Sequence, residues 1–244
     1  MTYRGGPRAG GAGRAALRAA ARPLHFVNYL VQRQVMRASA FPPGRVGGTI
    51  PGAHPHHLVV IGEATSIGYG TLLGELSIAG HLARQLATRH GQGVVWSTAP
   101  FPDLTVHTAS AVVSDPAVFV DADVVVVMLG IGDAVRSTPV RVWTRLLGVA
   151  LDTLRSQLSP DARIIVAEAP PLDEYPYLPR AVRARAGRQV RRFNEATRGL
   201  VTTRPGCISV PFPPERLPDL RRPDSAQVSG VYSTWANALL AAID

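Results

Sequence analysis

Residues Leu58–Gly70 read LVVIGEATSIGYG: four aliphatic residues, a glycine, then a short polar turn rich in small residues. A run that is apolar without alternation marks a strand buried on both faces, and the glycines after it mark a tight turn at its carboxyl end. Working outward, the same signature recurs at Val94–Ser97, Val124–Gly130, Ile164–Ala167 and Cys207–Val210. Between these runs lie helical stretches at Thr71–Arg89, Pro139–Leu158, Arg180–Leu200 and Val228–Ile243. In the first, Leu72, Leu73, Leu76, Ile78 and Leu82 are available for packing; in the last, Val231, Trp235, Leu239 and Ile243 recur at helical spacing. Strands alternating with helices predict a parallel sheet covered on both faces, because parallel neighbours need a crossover. The expected architecture is a flavodoxin-like three-layer α/β sandwich with a five-stranded parallel sheet. In such folds the ligand cleft lies at the carboxyl ends of the strands.

The chain has 244 residues, 46% hydrophobic and 18% charged, which excludes a disordered or collagen-like protein. Its single cysteine, Cys207, excludes a disulfide framework and a cysteine-based zinc site. No apolar run is long enough to span a membrane. All 26 basic residues are arginine, against 17 acids, for a net charge of +9. The complete absence of lysine reads as coding bias, so the basic total is a weak indication of nucleic-acid binding. The first 62 residues carry eight arginines and no acid. Residues 1–12 are glycine-rich, residues 13–39 can form helix with Phe26, Tyr29 and Leu30 on one face, and 41–57 read as a Pro/Gly linker. The chain therefore divides into a basic arm and linker (1–57) and a globular domain (58–244). A cytoplasmic protein is expected, with residues 1–57 able to touch an anionic membrane surface.

The strand ends carry the informative residues. The first run leads into Gly62-Glu63-Ala64-Thr65-Ser66-Ile67-Gly68-Tyr69-Gly70, and the third ends in Gly130-Ile131-Gly132-Asp133. The fourth is followed by Pro170-Pro171-Leu172 and an arginine-rich helix, and Asp224-Ser225-Ala226-Gln227 precedes the last helix. In order and spacing these blocks resemble the SGNH (GDSL-like) hydrolase family, in the form common in actinobacteria. That family has Gly-Asp-Ser-x-x-x-Gly after strand one, Gly-x-Asn-Asp after strand three and Asp-x-x-His before the last helix. The resemblance implies the SGNH hydrolase fold and an ester-hydrolase or acyltransferase ancestry, but the catalytic residues do not carry over. The nucleophilic serine falls at Ala64, the aspartate before it at Glu63, the oxyanion asparagine at Gly132 and the catalytic histidine at Gln227. No glycine lies between Val94 and Leu129 to supply the family's second block; Asp133 and Asp224 are retained. Losing the nucleophile or base costs on the order of 10⁴–10⁶ in rate, and losing an oxyanion donor about 10²–10³. The expectation is a catalytically degenerate member, a pseudoenzyme. It would bind an acyl- or glycan-like ligand or a protein partner through Glu63, Ala64, Gly132, Asp133, Asp224 and Gln227.

Other chemistries are weaker. Ser66 is the fallback nucleophile, since Ala64-Thr65-Ser66-Ile67-Gly68 fits a relaxed nucleophile elbow. The histidines are 25, 54, 56, 57, 81, 90 and 107, so none follows late in the chain, and Ser66 reads more readily as a helix cap. His54, His56 and His57 form a solvated turn rather than a metal site, no acid being near in sequence. No cofactor is expected: the glycines after the first strand lack dinucleotide spacing, and no P-loop lysine exists. Arg180, Arg183, Arg185, Arg188, Arg191 and Arg192 spread around more than one helical face and read as a solvated surface.

Overall fold

The computed structural model describes residues 41–43, 47–99, 101, 103–174, 180–214 and 224–243. The basic arm, with its expected helix over 13–39, lies outside the described residues. Six strands form one sheet: β1 (Gly47–Ile50), β2 (His56–Gly62), β3 (Val94–Thr98), β4 (Val124–Met128), β5 (Arg163–Ala167) and β6 (Cys207–Val210). Their order is β1-β3-β2-β4-β5-β6. Strands β2 to β6 are parallel to one another and show the flavodoxin-like order of the expected five-stranded sheet. Among the described residues, six α-helices cover it: α1 (Ile78–His90), α2 (Val106–Val113), α3 (Ile131–Arg136), α4 (Val140–Gln157), α5 (Arg180–Val201) and α6 (Ser225–Leu240).

The central strand β4 explains the layering. Val125 and Val127 pack on one side with α2, α4 and α5. Val124, Val126 and Met128 pack on the other with α1 and α6. Because both faces are covered, the strand has no polar face, and that is why its sequence does not alternate.

Three expectations need correction. The sheet has a sixth strand, β1, inside the stretch read as linker, pairing antiparallel with β3 through Gly47↔Ser97 and Ile50↔Val94. Its glycines hid it: they carry no strand propensity, and β1 takes its order from pairing with β3. A side chain at Gly48 would sit 3.1 Å from the Trp96 indole nitrogen, so glycine lets the edge strand lie over that ring. Secondly, the first helix starts at Ile78, not Thr71. Ser77 caps it by accepting from the Gly80 N–H, and the preceding turn leaves Leu72 and Leu73 67% and 56% exposed. Thirdly, the buried stripe of α6 runs through Val228, Tyr232, Trp235, Ala236 and Leu239, with Val231 only half-buried.

Strand β2 ends on a glycine for a steric reason. A Cβ at Gly62 would come within 2.3 Å of the Met128 carbonyl oxygen at the end of β4. This close approach lets the Glu63 N–H donate to that oxygen at 3.0 Å, and it directs the chain across the top of the sheet into the candidate site.

Candidate functional site

After β2 the chain makes a 3-10 turn, Ala64–Ile67, closed by Gly68 in the left-handed region (φ 83°). The turn faces the start of α3, whose first N–H groups point toward it. Glu63 fills the space between them. Its Oε1 accepts from the Ile131 N–H and its Oε2 from the Gly132 N–H, both at 2.7 Å. These unsatisfied donors suit an anion. Burial nevertheless outweighs them and pushes the Glu63 carboxyl up to about 8, with the nearby Asp133 acting in the same direction. A Cβ on Gly132 would lie 3.2 Å from Glu63 Oε2, so the glutamate takes up room beside that glycine. The space beside this small residue is therefore filled from within the chain.

The other sequence-nominated residues divide into buried and exposed. Asp133 is fully buried and saturated: Oδ2 accepts from the Val106 N–H at the start of α2, and Oδ1 from the Thr138 hydroxyl. It locks α3 to α2 and cannot touch a ligand. Asp224 is exposed and caps α6 by accepting from the Ala226 N–H, while Gln227 is exposed on the first turn of that helix. Ala64 sits buried in the turn after β2, as its place in the sequence implies.

Ser66 is 0% exposed, and its hydroxyl donates to the Glu63 carbonyl oxygen at 2.8 Å. A proton held by a backbone carbonyl is not being taken by a base. A serine–histidine contact does exist elsewhere, between His81 and Ser229 at 2.8 Å. Its polarity is wrong for a nucleophile. The Arg84 guanidinium donates to His81 Nδ1 at 3.0 Å, so Nε2 carries the hydrogen and donates to Ser229. Burial and the neighbouring Arg84 together lower His81 to about 4, leaving a neutral, weakly basic ring. His107 is exposed on α2. Among the described residues, no group of three or more His, Cys, Asp and Glu side chains is placed to hold a metal ion.

A second buried acid has no role in the sequence-based reading. Glu168, just past β5, accepts from Arg198 Nε and Nη2 at 2.6 Å each and from the Ser209 hydroxyl at 3.1 Å. An acid directly after an apolar strand was the available signal. Glu63, Thr65, Glu168, Pro170 and Trp235 line a cavity of about 10 Å³ between the strand ends, room for one water. The Trp235 indole N–H is buried without a hydrogen-bond partner among the described residues.

The comparisons agree with this architecture. The model of the GDSL-like Lipase/Acylhydrolase family matches residues 60–235. No curated protein matches the chain significantly. A catalytic mutant of an acetylxylan esterase from Geobacillus stearothermophilus superposes with a TM-score of 0.60 at 15% identity, over 79% of this chain and 95% of that one. An active-site mutant of a family two carbohydrate esterase from Clostridium thermocellum gives 0.55 at 16% identity, over 79% and 64%. An alpha/beta hydrolase enzyme from the metagenome of Lake Arreo, Spain, gives 0.54 at 18%, over 82% and 98%. At these identities the likeness is one of fold.

Proposed function

The chain belongs to the GDSL-like lipase/acylhydrolase family, and from that membership we propose a member that has lost ester hydrolysis and binds an acyl- or glycan-like ligand at its strand ends. One observation carries the reading. The position that the family resemblance gives to the nucleophile is Ala64, and the N–H groups at the start of α3 beside it are occupied by the chain's own Glu63. A substrate carbonyl would meet neither an attacking oxygen nor free donors for the charge that develops on it. The esterase neighbours support an acyl or glycan ligand over other classes. Catalysis by Ser66 is the less favoured reading, because that hydroxyl is buried and bonded to a carbonyl.

Hydrolysis of short- and medium-chain nitrophenyl esters tests the loss of activity. The wild type, Ser66→Ala and Ala64→Ser should all remain at the uncatalysed rate, since the single serine restores neither a base nor an oxyanion amide. Turnover by the wild type that disappears in Ser66→Ala would overturn the proposal. Binding is tested separately, by titrating decanoate and an acetylated xylo-oligosaccharide while following tryptophan fluorescence, because Trp235 lies at the strand ends where the ligand is proposed to bind. A saturable change with one of the two is expected. No change with either would leave ligand binding without support.

A further inference from the structure

The carboxyl ends of the strands also carry an exposed apolar pair that packing does not explain. Leu72 and Leu73 follow the turn after β2, 67% and 56% exposed, and Phe101 beyond β3 is 45% exposed. Hydrogen bonds hold the turn that carries the leucines. The buried Thr71 hydroxyl bonds to the Gly68 carbonyl at 2.7 Å and the Leu73 carbonyl at 3.2 Å, and the Leu72 N–H donates to the Ser225 hydroxyl at 3.3 Å. A fixed turn that presents adjacent leucines to water is a feature of surfaces that dock.

Two observations name what it docks on. The basic arm joins the domain at this spot: the Phe41 ring lies edge-on to Tyr69 at 5.5 Å, and Pro42 packs beside Gly68, a few residues before the leucines. Residues 1–40, which precede this anchor, contain seven arginines and no acid. The arginine-rich helix α5, packed on the other face of the sheet, begins at the same strand ends, with Arg180, Arg183, Arg185 and Arg188 in its first nine residues. Exposed leucines at one end of the sheet, in a chain with arginines at the start of α5 and throughout residues 1–40, match a bilayer interface, where leucines enter the acyl boundary and arginines meet anionic headgroups. Nucleic acid would satisfy the charge but would leave the leucines without a role.

We propose that the strand-end face of this protein, led by Leu72 and Leu73, docks on anionic membrane surfaces. The proposal does not depend on whether the domain hydrolyses or binds an acyl ligand. Cosedimentation of the full chain with lipid vesicles tests it. Binding is expected to vesicles of phosphatidylcholine containing about 30% phosphatidylglycerol and to be at least about tenfold weaker with phosphatidylcholine alone. It should fall steeply as salt rises from about 0.1 M to about 0.5 M. The double variant Leu72→Ser/Leu73→Ser should weaken it about tenfold at low salt, with an unchanged thermal midpoint because both side chains are exposed. No vesicle binding, binding indifferent to the leucine substitutions, self-association through the leucines in its place, or tighter binding to DNA than to vesicles would each overturn it.

Discussion

Asp133→Ala should destabilise the fold by about 3–5 kcal/mol and lower the thermal midpoint by roughly 10 °C or more. The carboxylate is fully buried and makes both of its bonds across the fold, to the Val106 N–H and to the Thr138 hydroxyl. Truncation leaves the first donor of α2 and a buried hydroxyl without acceptors, far from water that could replace them. Asp133→Asn separates this role from a requirement for charge. Its amide oxygen can still accept from Val106, and its NH₂ can donate to Thr138, so its loss should be less than half that of alanine. Chemical denaturation of the three proteins measures the difference. An alanine variant melting within a degree or two of the wild type would show that Asp133 does not hold α2 to α3.

The second large effect is on pH dependence. Burial raises the Glu63 carboxyl from its ordinary 4.5 to about 8. The folded chain therefore binds a proton more tightly than the unfolded chain. Between these two values the folded state carries the extra proton, so stability falls as pH rises and the full penalty applies above about 8. The penalty is on the order of 3–5 kcal/mol. Asp133, also raised by burial, contributes in the same direction. The wild type is expected to lose stability steadily from mildly acidic to mildly alkaline buffer. Glu63→Gln, which cannot ionise, should start lower, because its amide N–H₂ opposes one of the α3 donors, and should show a much flatter profile. Parallel profiles for the two proteins would mean that Glu63 is already ionised across the range and that its two N–H bonds outweigh its burial.

The parts of the fold legible in the sequence are those whose environment is uniform. Val124–Met128 is buried on both faces, and its unbroken apolar run says so. The spacing of Trp235 and Leu239 marks the buried side of α6, although only the contacts with α1 show that Tyr232 and Ala236 share it while Val231 does not. Strand β1 was not legible. Gly47 and Gly48 have no side chains to pattern, and the strand exists because β3 offers it an edge. The leucines of the turn at 71–77 fit the helical period, a pattern that cannot distinguish packing from presentation to solvent.

In the candidate site, the chain order of Glu63, Ala64, Gly132, Asp224 and Gln227 carries the family resemblance, because which functional group stands at each position is a property of the residue itself. What the remaining groups do depends on partners distant in sequence. Glu63 meets α3 across 68 residues, Asp133 meets α2 across 27, and Glu168 meets Arg198 across 30. Sequence alone determined the strand-and-helix alternation and the family resemblance, since local apolarity and residue chemistry encode them. Only the tertiary structure decided that Asp133 and Asp224 are helix anchors, that Glu63 fills its own anion site, and that two leucines stand exposed beside the root of a basic arm. Hydrogen-bond geometry and burial arise from the packing of distant segments, and no single stretch of the chain contains them.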